Sequence, residues 1–290
     1  MKHDNRSVGI LWMLATMFGF ITLDAMMKYS LETYSLVEVT WARFFFASIF
    51  AALACGRNLP QLAISHMPKV QILRSVFLMT TTGLFNAGIR SVPLATGTTI
   101  MFMSPILVTF LSIFLLGEHV GIRRWAGIVL GFIGALIVMR VWETGALGLN
   151  HGVLFLLAAA LTNASYQITT RRLRQDSPYT SLLFTAAAGA VVSSFILPWH
   201  WSSPDLLGWA LLIGCGFVGC ISHLCLINAL QSAPASVVAP FSYSSIIWAT
   251  AMGFAIWGDV PQVTTVLGAT LIIGSGLYIF LREKKRERSS

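Results

Sequence analysis

Residues 92–140 read VPLATGTTIMFMSPILVTFLSIFLLGEHVGIRRWAGIVLGFIGALIVMR, and residues 233–281 repeat the pattern at a constant offset of 141 positions. Each stretch starts near a proline and carries two apolar segments separated by a glycine and an acidic residue. The matched pairs are Pro93 with Pro234, Gly117 with Gly258, Glu118 with Asp259, and Gly127 with Gly268. The chain therefore contains an internal duplication.

The composition around this duplication is that of a membrane protein. Of 290 residues, 56% are hydrophobic and 10% are charged, and the mean hydropathy is +0.76. Soluble domains carry roughly 25% charged residues, and a helix needs about 20 mainly apolar residues to cross a bilayer. Ten such spans are predicted, at residues 8–28, 37–55, 71–89, 95–116, 124–140, 151–170, 179–198, 206–230, 235–257 and 264–281.

The first and sixth spans also match, at an offset of 143 residues. The pairs are Gly9 with Gly152, Leu11 with Leu154, Leu14 with Leu157, and Ala15 with Ala158. Each repeat, residues 1–145 and 146–290, thus holds five spans, and an odd number makes the second repeat run upside-down relative to the first. The predicted fold is an all-α membrane protein with ten transmembrane helices in two inverted five-helix repeats, an arrangement typical of secondary transporters.

The distribution of Lys and Arg predicts the orientation. With both termini in the cytoplasm, fifteen of the nineteen basic residues fall on the inner side and three on the outer side, and Arg43 lies within a span. This is the bias of the positive-inside rule. We expect a multi-pass protein of the bacterial inner membrane, and we attribute the pI near 9.7 to topology and not to a nucleic-acid partner.

The sequence contains no nucleotide-binding loop, serine-hydrolase elbow or zinc-protease motif, so no enzyme activity, catalytic residue or cofactor is expected. Cys55, Cys215, Cys220 and Cys225 lack the spacing of a metal site, so no metal is expected either. A non-transporting membrane scaffold remains an alternative of a different class.

Four ionisable residues lie in the first two spans, at a similar depth near their outer ends: Asp24, Lys28, Glu38 and Arg43. Ionisable residues within a span are costly and need a reason. Ion pairs between Asp24 and Arg43 and between Lys28 and Glu38 would hold the hairpin together. The alternatives are an outer gate, or an Asp24 that binds a proton or a cation.

The sixth span carries a polar stripe of Asn163, Gln167 and Thr170, with Tyr166 beside it. Such a stripe faces protein or a water-filled cavity and not lipid. Hydrogen bonds between helices are one explanation, and contact with a substrate is the other.

The eighth span holds His223, whose counterpart in the third span is Thr82, one turn before Asn86. Imidazole titrates in the physiological range, so His223 and Asp24 are the candidates for proton coupling. A histidine that is merely hydrogen-bonded within the bundle is the other interpretation.

The fourth and ninth spans each combine a proline with small polar and aromatic residues. Proline removes a backbone hydrogen bond, which makes these spans natural cavity walls. The candidate cavity residues here are Thr99, Phe102, Ser104, Tyr243 and Trp248, whose rings suit a planar substrate, although ordinary apolar packing explains any single one of them. The fifth and tenth spans are rich in glycine and poor in polar side chains, which indicates scaffold and permits a homodimer without requiring one.

At these residues the chain resembles the drug/metabolite transporter superfamily, in particular its bacterial EamA-type group. The resemblance is carried by LDAMMKY at 23–29, WARFFF at 41–46, the stretch 92–140, YQITTRRL at 166–173, and APASVVAPFSYSSIIWATAMGFAIWGDVPQ at 233–262. Where members commonly have an acidic residue after Pro-Leu-Ala of the fourth span, this chain has Thr96 and Gly97.

The resemblance implies ten helices in two inverted repeats, with a central cavity lined mainly by helices 1, 3, 4, 6, 8 and 9. Riboflavin-import and S-adenosylmethionine-uptake members look most similar. The sequence therefore predicts a secondary transporter of a small metabolite, such as a planar vitamin or a nucleoside-like compound, that works by alternating access in the lipid bilayer. Export of amino acids or metallophore-like metabolites is the alternative within the same class.

Overall fold

The computed structural model describes residues 6–104, 106–108, 110–111, 126, 129–130, 132–134, 136–137, 151–171, 173, 176–232 and 239–287. The regular structure of these residues is helical throughout. The α-helices are α1 (Arg6–Ser30), α2 (Leu36–Cys55), α3 (Leu59–Leu62), α4 (Pro68–Ile89), α5 (Leu94–Met101), α6 (His151–Arg171), α7 (Pro178–Ile196), α8 (Leu206–Ser232), α9 (Ser245–Trp257) and α10 (Val263–Glu287). Short 3₁₀ helices lie at Gly56–Asn58, Leu197–Trp199 and Ala239–Ser244.

Six segments of these helices are long and apolar enough to cross a membrane. They are Ser7–Ser30, Leu36–Leu62, Pro68–Ile89, His151–Thr170, Pro178–Trp199 and Leu206–Ala229. Two shorter apolar helices cover Leu94–Val108 and Val263–Ser275. Large apolar side chains such as Leu53 and Phe195 are highly exposed, as expected for a surface that meets lipid and not water.

Polar residues at the helix starts explain where several helices begin. The Ser35 side chain accepts a hydrogen bond from the Glu38 amide at the start of α2, and Ser177 does the same for the Tyr179 amide at α7. Asp205 Oδ1 accepts from the Gly208 amide at 2.7 Å at the start of α8. Each contact satisfies an amide that has no partner within its own helix.

The helices pack mainly between the two halves of the chain. The principal neighbours are α1 with α8, α4 with α6, and α2 with α7 and α8. The buried core contains large side chains from both halves, including Leu23, Met27, Ile89, Leu156 and Leu212. Neither half therefore folds around a core of its own.

The connections between helices meet at two opposite ends of the bundle. At one, which we call the Asp176 end, Ser65 and the His66 amide contact Asp176, so the α2–α4 and α6–α7 connections lie together. We name the other end after Asp259, which contacts Lys28 near the end of α1. There Ser35 Oγ donates to the His200 carbonyl at 2.9 Å, so the α1–α2 and α7–α8 connections lie together.

Several predicted spans agree closely with the helices, but two do not. The ninth, predicted at 235–257, is a 3₁₀ helix over Ala239–Ser244 before α9 begins at Ser245, because Pro240 cannot donate an amide to an α-helical ladder. The fourth, predicted at 95–116, turns at Phe102 and Met103. Most of the fifth span and the glycine pattern at Gly127 and Gly131 lie outside the described residues.

Candidate functional site

A cavity of about 460 Å³ opens towards the Asp176 end of the bundle, between α2, α4, α6, α7 and α8. Its volume lies in the range of small-molecule binding sites. Apolar side chains form most of the wall, among them Phe44, Leu78, Leu182 and Ile227. The polar side chains that reach it are Arg43, Arg74, Tyr166, Thr170, Asp176, Ser181, Thr185 and His223.

Arg74 is the most extensively bonded of these side chains. It lies in the second turn of α4, is 6% exposed, and extends across the cavity wall to α6 and α7. Its Nε donates to Thr170 Oγ1 at 2.8 Å, its Nη1 to Thr185 Oγ1 at 2.8 Å, and its Nη2 to Tyr166 Oη at 2.6 Å. A guanidinium that is always charged thus joins three helices beside the cavity.

His223 and Arg43 mark the deep part of the cavity. The ring Nδ1 of His223 lies 2.9 Å from the Gly219 carbonyl, and Phe20 packs edge-on against the imidazole. Arg43 Nη1 lies 3.9 Å from the sulfur of Met27. Asp24 is half-buried on α1, and the structure describes no ion pair at contact distance between Asp24 and Arg43.

Asp176 ties together the two connections at the rim of the cavity. It accepts hydrogen bonds from Ser65 Oγ, from the His66 amide at 3.0 Å and from Gln71 Nε2 at 2.9 Å. Burial by itself raises the pKa of Asp176, but these three hydrogen bonds to the carboxylate outweigh it and hold the pKa below its usual value. The Asp176 carboxylate therefore holds the α2–α4 and α6–α7 connections together.

The Asp259 end is closed by contacts between the two halves of the chain. Lys28 Nζ lies 3.6 Å from Asp259 Oδ2, donates to the Val92 carbonyl at 3.0 Å, and sits 4.7 Å from the centre of the Trp257 ring. The Trp257 indole in turn donates to Glu32 Oε1 at 2.6 Å. These contacts join the end of α1 to the end of α9.

A second set of contacts closes the same end between α2 and the α7–α8 connection. Glu38 Oε2 accepts from the hydroxyl of Ser202 at 2.7 Å and from its amide at 3.2 Å, and Tyr34 donates to Asp205 at 2.9 Å. An aromatic cluster lies beside them and contains Trp41, Phe45, Phe46, Trp201 and Trp209. These contacts hold α2 against the α7–α8 connection at the Asp259 end.

The predicted ion pairs differ from the structure. Lys28 and Glu38 were expected to pair with each other, but Lys28 contacts Asp259 and Glu38 contacts Ser202. Each side chain reaches the second half of the chain instead of its neighbour in the first hairpin. The reason is packing: α1 lies against α8 and α9, whereas α2 lies against α7 and α8. The role of these residues in a gate remains a prediction.

Of the residues predicted to bind substrate, Tyr166 and His223 line the described cavity, and Arg43 joins them. Others lie in the bundle with partners of their own. Asn163 donates to Ser104 Oγ at 3.2 Å, Asn86 donates to Thr40 Oγ1 at 3.2 Å, and Thr99 donates to the Ala95 carbonyl. Their binding roles remain predictions.

Three of the remaining predicted residues lie near α1, α5 and α9, and the other two, Thr82 and Gln167, lie on α4 and α6. The rings of Phe102 and Tyr243 lie 5.1 Å apart, and Trp248 packs edge-on against Phe18. Thr82 is buried and Gln167 is half-buried. The wall of this cavity includes residues of α2 and α7 together with α4, α6 and α8, and the expected lining of a central cavity by helices 1, 3, 4, 6, 8 and 9 remains a prediction.

Arg74 lines the cavity but was not predicted to do so from the sequence. As an arginine at the cytoplasmic edge of the third span, it was counted among the basic residues that set the orientation in the membrane. The structure places it inside α4 with a buried side chain, so it does not belong to that charge count. The available signal was the spacing of Gln71, Arg74 and Ser75, which puts three polar side chains on one face of a helix. All three are buried.

Together these features define a multi-pass helical membrane protein with an internal cavity that is lined mainly by apolar side chains and by a few polar ones. The chain belongs to the EamA-like transporter family, whose model matches it twice, at residues 7–140 and 150–281. The two matches correspond to the duplication seen in the sequence.

Three curated relatives have different substrates in their names. The S-adenosylmethionine uptake transporter of Rickettsia bellii is 29% identical over 96% of this chain and 95% of its own length. The riboflavin transporter of Vibrio cholerae is 28% identical over 97% and 95%, and the pseudopaline exporter of Pseudomonas aeruginosa is 24% identical over 94% and 96%. A crystal structure matches 98% of this chain and all of its own with a TM-score of 0.65 at 18% identity, which shows a shared fold.

Proposed function

We propose that this chain is a secondary transporter of the bacterial inner membrane that moves a small metabolite through the cavity between α2, α4, α6, α7 and α8 by alternating access. The cavity carries the proposal, because it is large enough for a metabolite, lies between five helices of the bundle and reaches the Asp176 end. Full-length similarity to proteins that are named as transporters supports it.

This proposal includes ten helices in two inverted repeats, which cover residues 1–145 and 146–290. The α1–α2 and α6–α7 connections are equivalent in the two repeats, yet they lie at opposite ends of the bundle. The first helices of the two repeats are α1 and α6, and the third spans are α4 and α8. The contact of α1 with α8 therefore corresponds to the contact of α6 with α4. Both observations support an inverted duplication, which provides the two related packings that alternating access requires.

The Asp176 end faces the cytoplasm in this proposal. Its connections carry Arg57 and Lys69 on one side and Arg171, Arg172 and Arg174 on the other, as the positive-inside rule requires. Both termini then lie in the cytoplasm, and the described conformation is open to the inside. The contacts of Lys28, Trp257 and Glu38 act as the outer gate.

The substrate we propose is a small, partly planar metabolite. Relatives that carry S-adenosylmethionine or riboflavin are similar to this chain over nearly its whole length, and both compounds contain a flat heterocycle. Tyr166, Phe44 and His223 offer flat surfaces in the cavity for such a ring. Export of a metallophore-like compound is the second candidate, supported by the similarity to the pseudopaline exporter.

The direct test is uptake into liposomes that contain the purified full-length chain. The labelled solutes are riboflavin, S-adenosylmethionine, and aromatic and basic amino acids, each with and without a pH gradient. We expect saturable flux of one solute, recovered chemically unchanged, and acceleration by the gradient would show proton coupling. Folded protein that moves none of these solutes, or that converts one of them to a product, would contradict the proposal.

Substitution of Lys28 by Ala is expected to open the Asp259 end. The change removes the contact with Asp259, which joins the two halves while this end is closed, and the hydrogen bond to the Val92 carbonyl within the first half. Cys215 is 0% exposed and lies next to Arg43 and Asp24 beneath this end, so it is a native reporter. In a background with the other three cysteines changed to Ala, an impermeant maleimide added from outside should label Cys215 several-fold faster in K28A.

The matched control is Lys69→Ala, which removes the same charge from an exposed residue at the Asp176 end. It should leave the labelling of Cys215 at the rate of the parent. Equal rates in K28A, K69A and the parent would show that Lys28 does not hold the outer gate.

A further inference from the structure

The charge of Arg74 has no counter-charge at contact distance in the described part of the chain. Its four hydrogen bonds there go to neutral oxygens: the hydroxyls of Thr170, Thr185 and Tyr166, and the Ser181 carbonyl at 3.0 Å. A buried charge is costly unless it is paired, and neutral acceptors reduce that cost without cancelling the charge. The cavity beside Arg74 is therefore a favourable place for a negative charge.

The acidic residues nearest to the cavity are engaged elsewhere. Asp176 lines the rim, but both of its oxygens accept hydrogen bonds from Ser65, His66 and Gln71. Arg43, the other arginine of the cavity, also lacks an acidic partner at contact distance among the described residues, and its Nη1 lies 3.9 Å from the sulfur of Met27. Arg74 therefore contributes a positive charge that no described acidic residue balances at contact distance.

The direction of the hydrogen bonds shows which donor remains free to meet a ligand. Thr170 and Thr185 give their hydroxyl hydrogens to the carbonyls of Tyr166 and Ser181, at 2.7 and 2.8 Å, so their oxygens only accept from Arg74. Tyr166 Oη also accepts from Arg74, which leaves the phenol hydrogen available on a residue that lines the cavity. Because its oxygen is bonded to a cation, this phenol is a strengthened donor.

His223 supplies the opposite kind of group on the other side of the cavity. A carbonyl oxygen only accepts, so the contact of Nδ1 with the Gly219 carbonyl places a hydrogen on Nδ1. In the neutral ring, Nε2 is then an acceptor that can receive an N–H of a ligand. The apolar side chains of Leu78, Leu182 and Ile227 also line the cavity.

We propose that the Arg74–Tyr166 pair binds a carboxylate of the transported metabolite, which is a singly charged organic acid or a zwitterion with an apolar or planar body and an N–H group that meets His223. This proposal rests on the proposed function and adds the chemical class of its substrate. One carboxylate balances the charge of Arg74. Neutral compounds would leave Arg74 unbalanced.

Matched pairs of compounds test this assignment whatever the natural substrate is. The probes are nicotinate with nicotinamide, indole-3-acetate with indole-3-acetamide, S-adenosylmethionine with its decarboxylated form, and riboflavin 5′-phosphate with riboflavin. The full-length chain in detergent is melted with each compound at millimolar concentration, and the affinity of any stabilising compound is then measured by calorimetry.

We expect the carboxylate member of at least one pair to raise the melting temperature while the partner that lacks the carboxylate does not. Arg74→Gln and Tyr166→Phe should bind that acid at least about tenfold more weakly, because each loses a charged or charge-strengthened hydrogen bond. Arg57→Gln is the matched control, since it removes the same charge from an exposed residue at the same end of the bundle. It should bind the acid as the wild type does. The Tyr166 variant keeps the guanidinium, so it tests the site even where the Arg74 variant is unstable.

Three results would overturn the assignment: no carboxylate that stabilises the protein, stabilisation by the phosphate or a neutral compound instead, or unchanged affinity in both variants. The flux assay separates this inference from the proposed function. Equal transport of a neutral solute by wild type and Arg74→Gln would leave transport intact and remove the carboxylate site. An acid that binds at Arg74 and never crosses the membrane would keep the site and remove the transport function.

Discussion

Leu78→Trp is expected to abolish most of the flux through this protein while leaving it folded. Leu78 is half-buried on α4, one turn after Arg74, and its side chain forms part of the cavity wall. A larger aromatic ring at this position fills space that the substrate must occupy. Since a cavity of about 460 Å³ holds a single metabolite closely, we expect transport to fall by at least about tenfold in the liposome assay.

Leu73→Trp is the matched control, because it makes the same substitution on the same helix. Leu73 is 50% exposed on the lipid-facing surface, where tryptophan is well tolerated. We expect transport near the wild-type rate for this variant. If both variants transport at the wild-type rate, the substrate does not pass along this cavity. If both lose transport together with their melting transition, the defect is one of folding.

Gly88→Ala is expected to destabilise the bundle, because Gly88 lies at a point of close approach between α4 and α6. A Cβ atom at this position would lie 2.5 Å from Leu156 Cγ and 2.9 Å from the Gly152 carbonyl oxygen. A backbone carbonyl within a helix cannot move aside alone, so the two helices must separate. Overpacking of this kind costs about 1–3 kcal/mol, and the melting temperature in detergent should fall by several degrees.

Gly83→Ala tests whether steric contact is the cause. Gly83 lies on the same helix, and a Cβ atom there has no neighbour within 4 Å. Alanine is more favourable than glycine in a helix by up to about 1 kcal/mol, so the melting temperature should stay the same or rise slightly. A similar loss in both variants would mean that glycine flexibility, and not close approach, matters on α4.

Most of the helices could be predicted because a membrane span has a simple physical signature. A run of about 20 apolar residues is required by the thickness of the hydrocarbon layer, whatever the rest of the chain does. The α4 and α8 helices match their predicted spans within a few residues. The 3₁₀ helix before α9 was missed because the hydropathy of Ala239–Ser244 does not report backbone hydrogen bonding.

The site was predicted less completely. Tyr166 and His223 were found because isolated polar groups in an apolar span need a partner or a cavity. Arg74 was assigned to topology, since an arginine close to the end of a span usually extends to the membrane surface. Only the packing of α4 against α6 and α7 shows that its side chain turns inward, to Tyr166 and Thr185.

By itself, the sequence determined that this is a duplicated helical membrane protein and which transporter family it belongs to, because hydropathy, the 141-residue repeat and family motifs are properties of the linear chain. Which helices touch was decided only by the tertiary structure. Lys28 meets Asp259 and Arg74 meets Tyr166 across the two halves of the chain. Such pairs depend on how apolar helix faces fit together, and in a bilayer that fit is set by side-chain shape and not by a pattern of hydrophobicity.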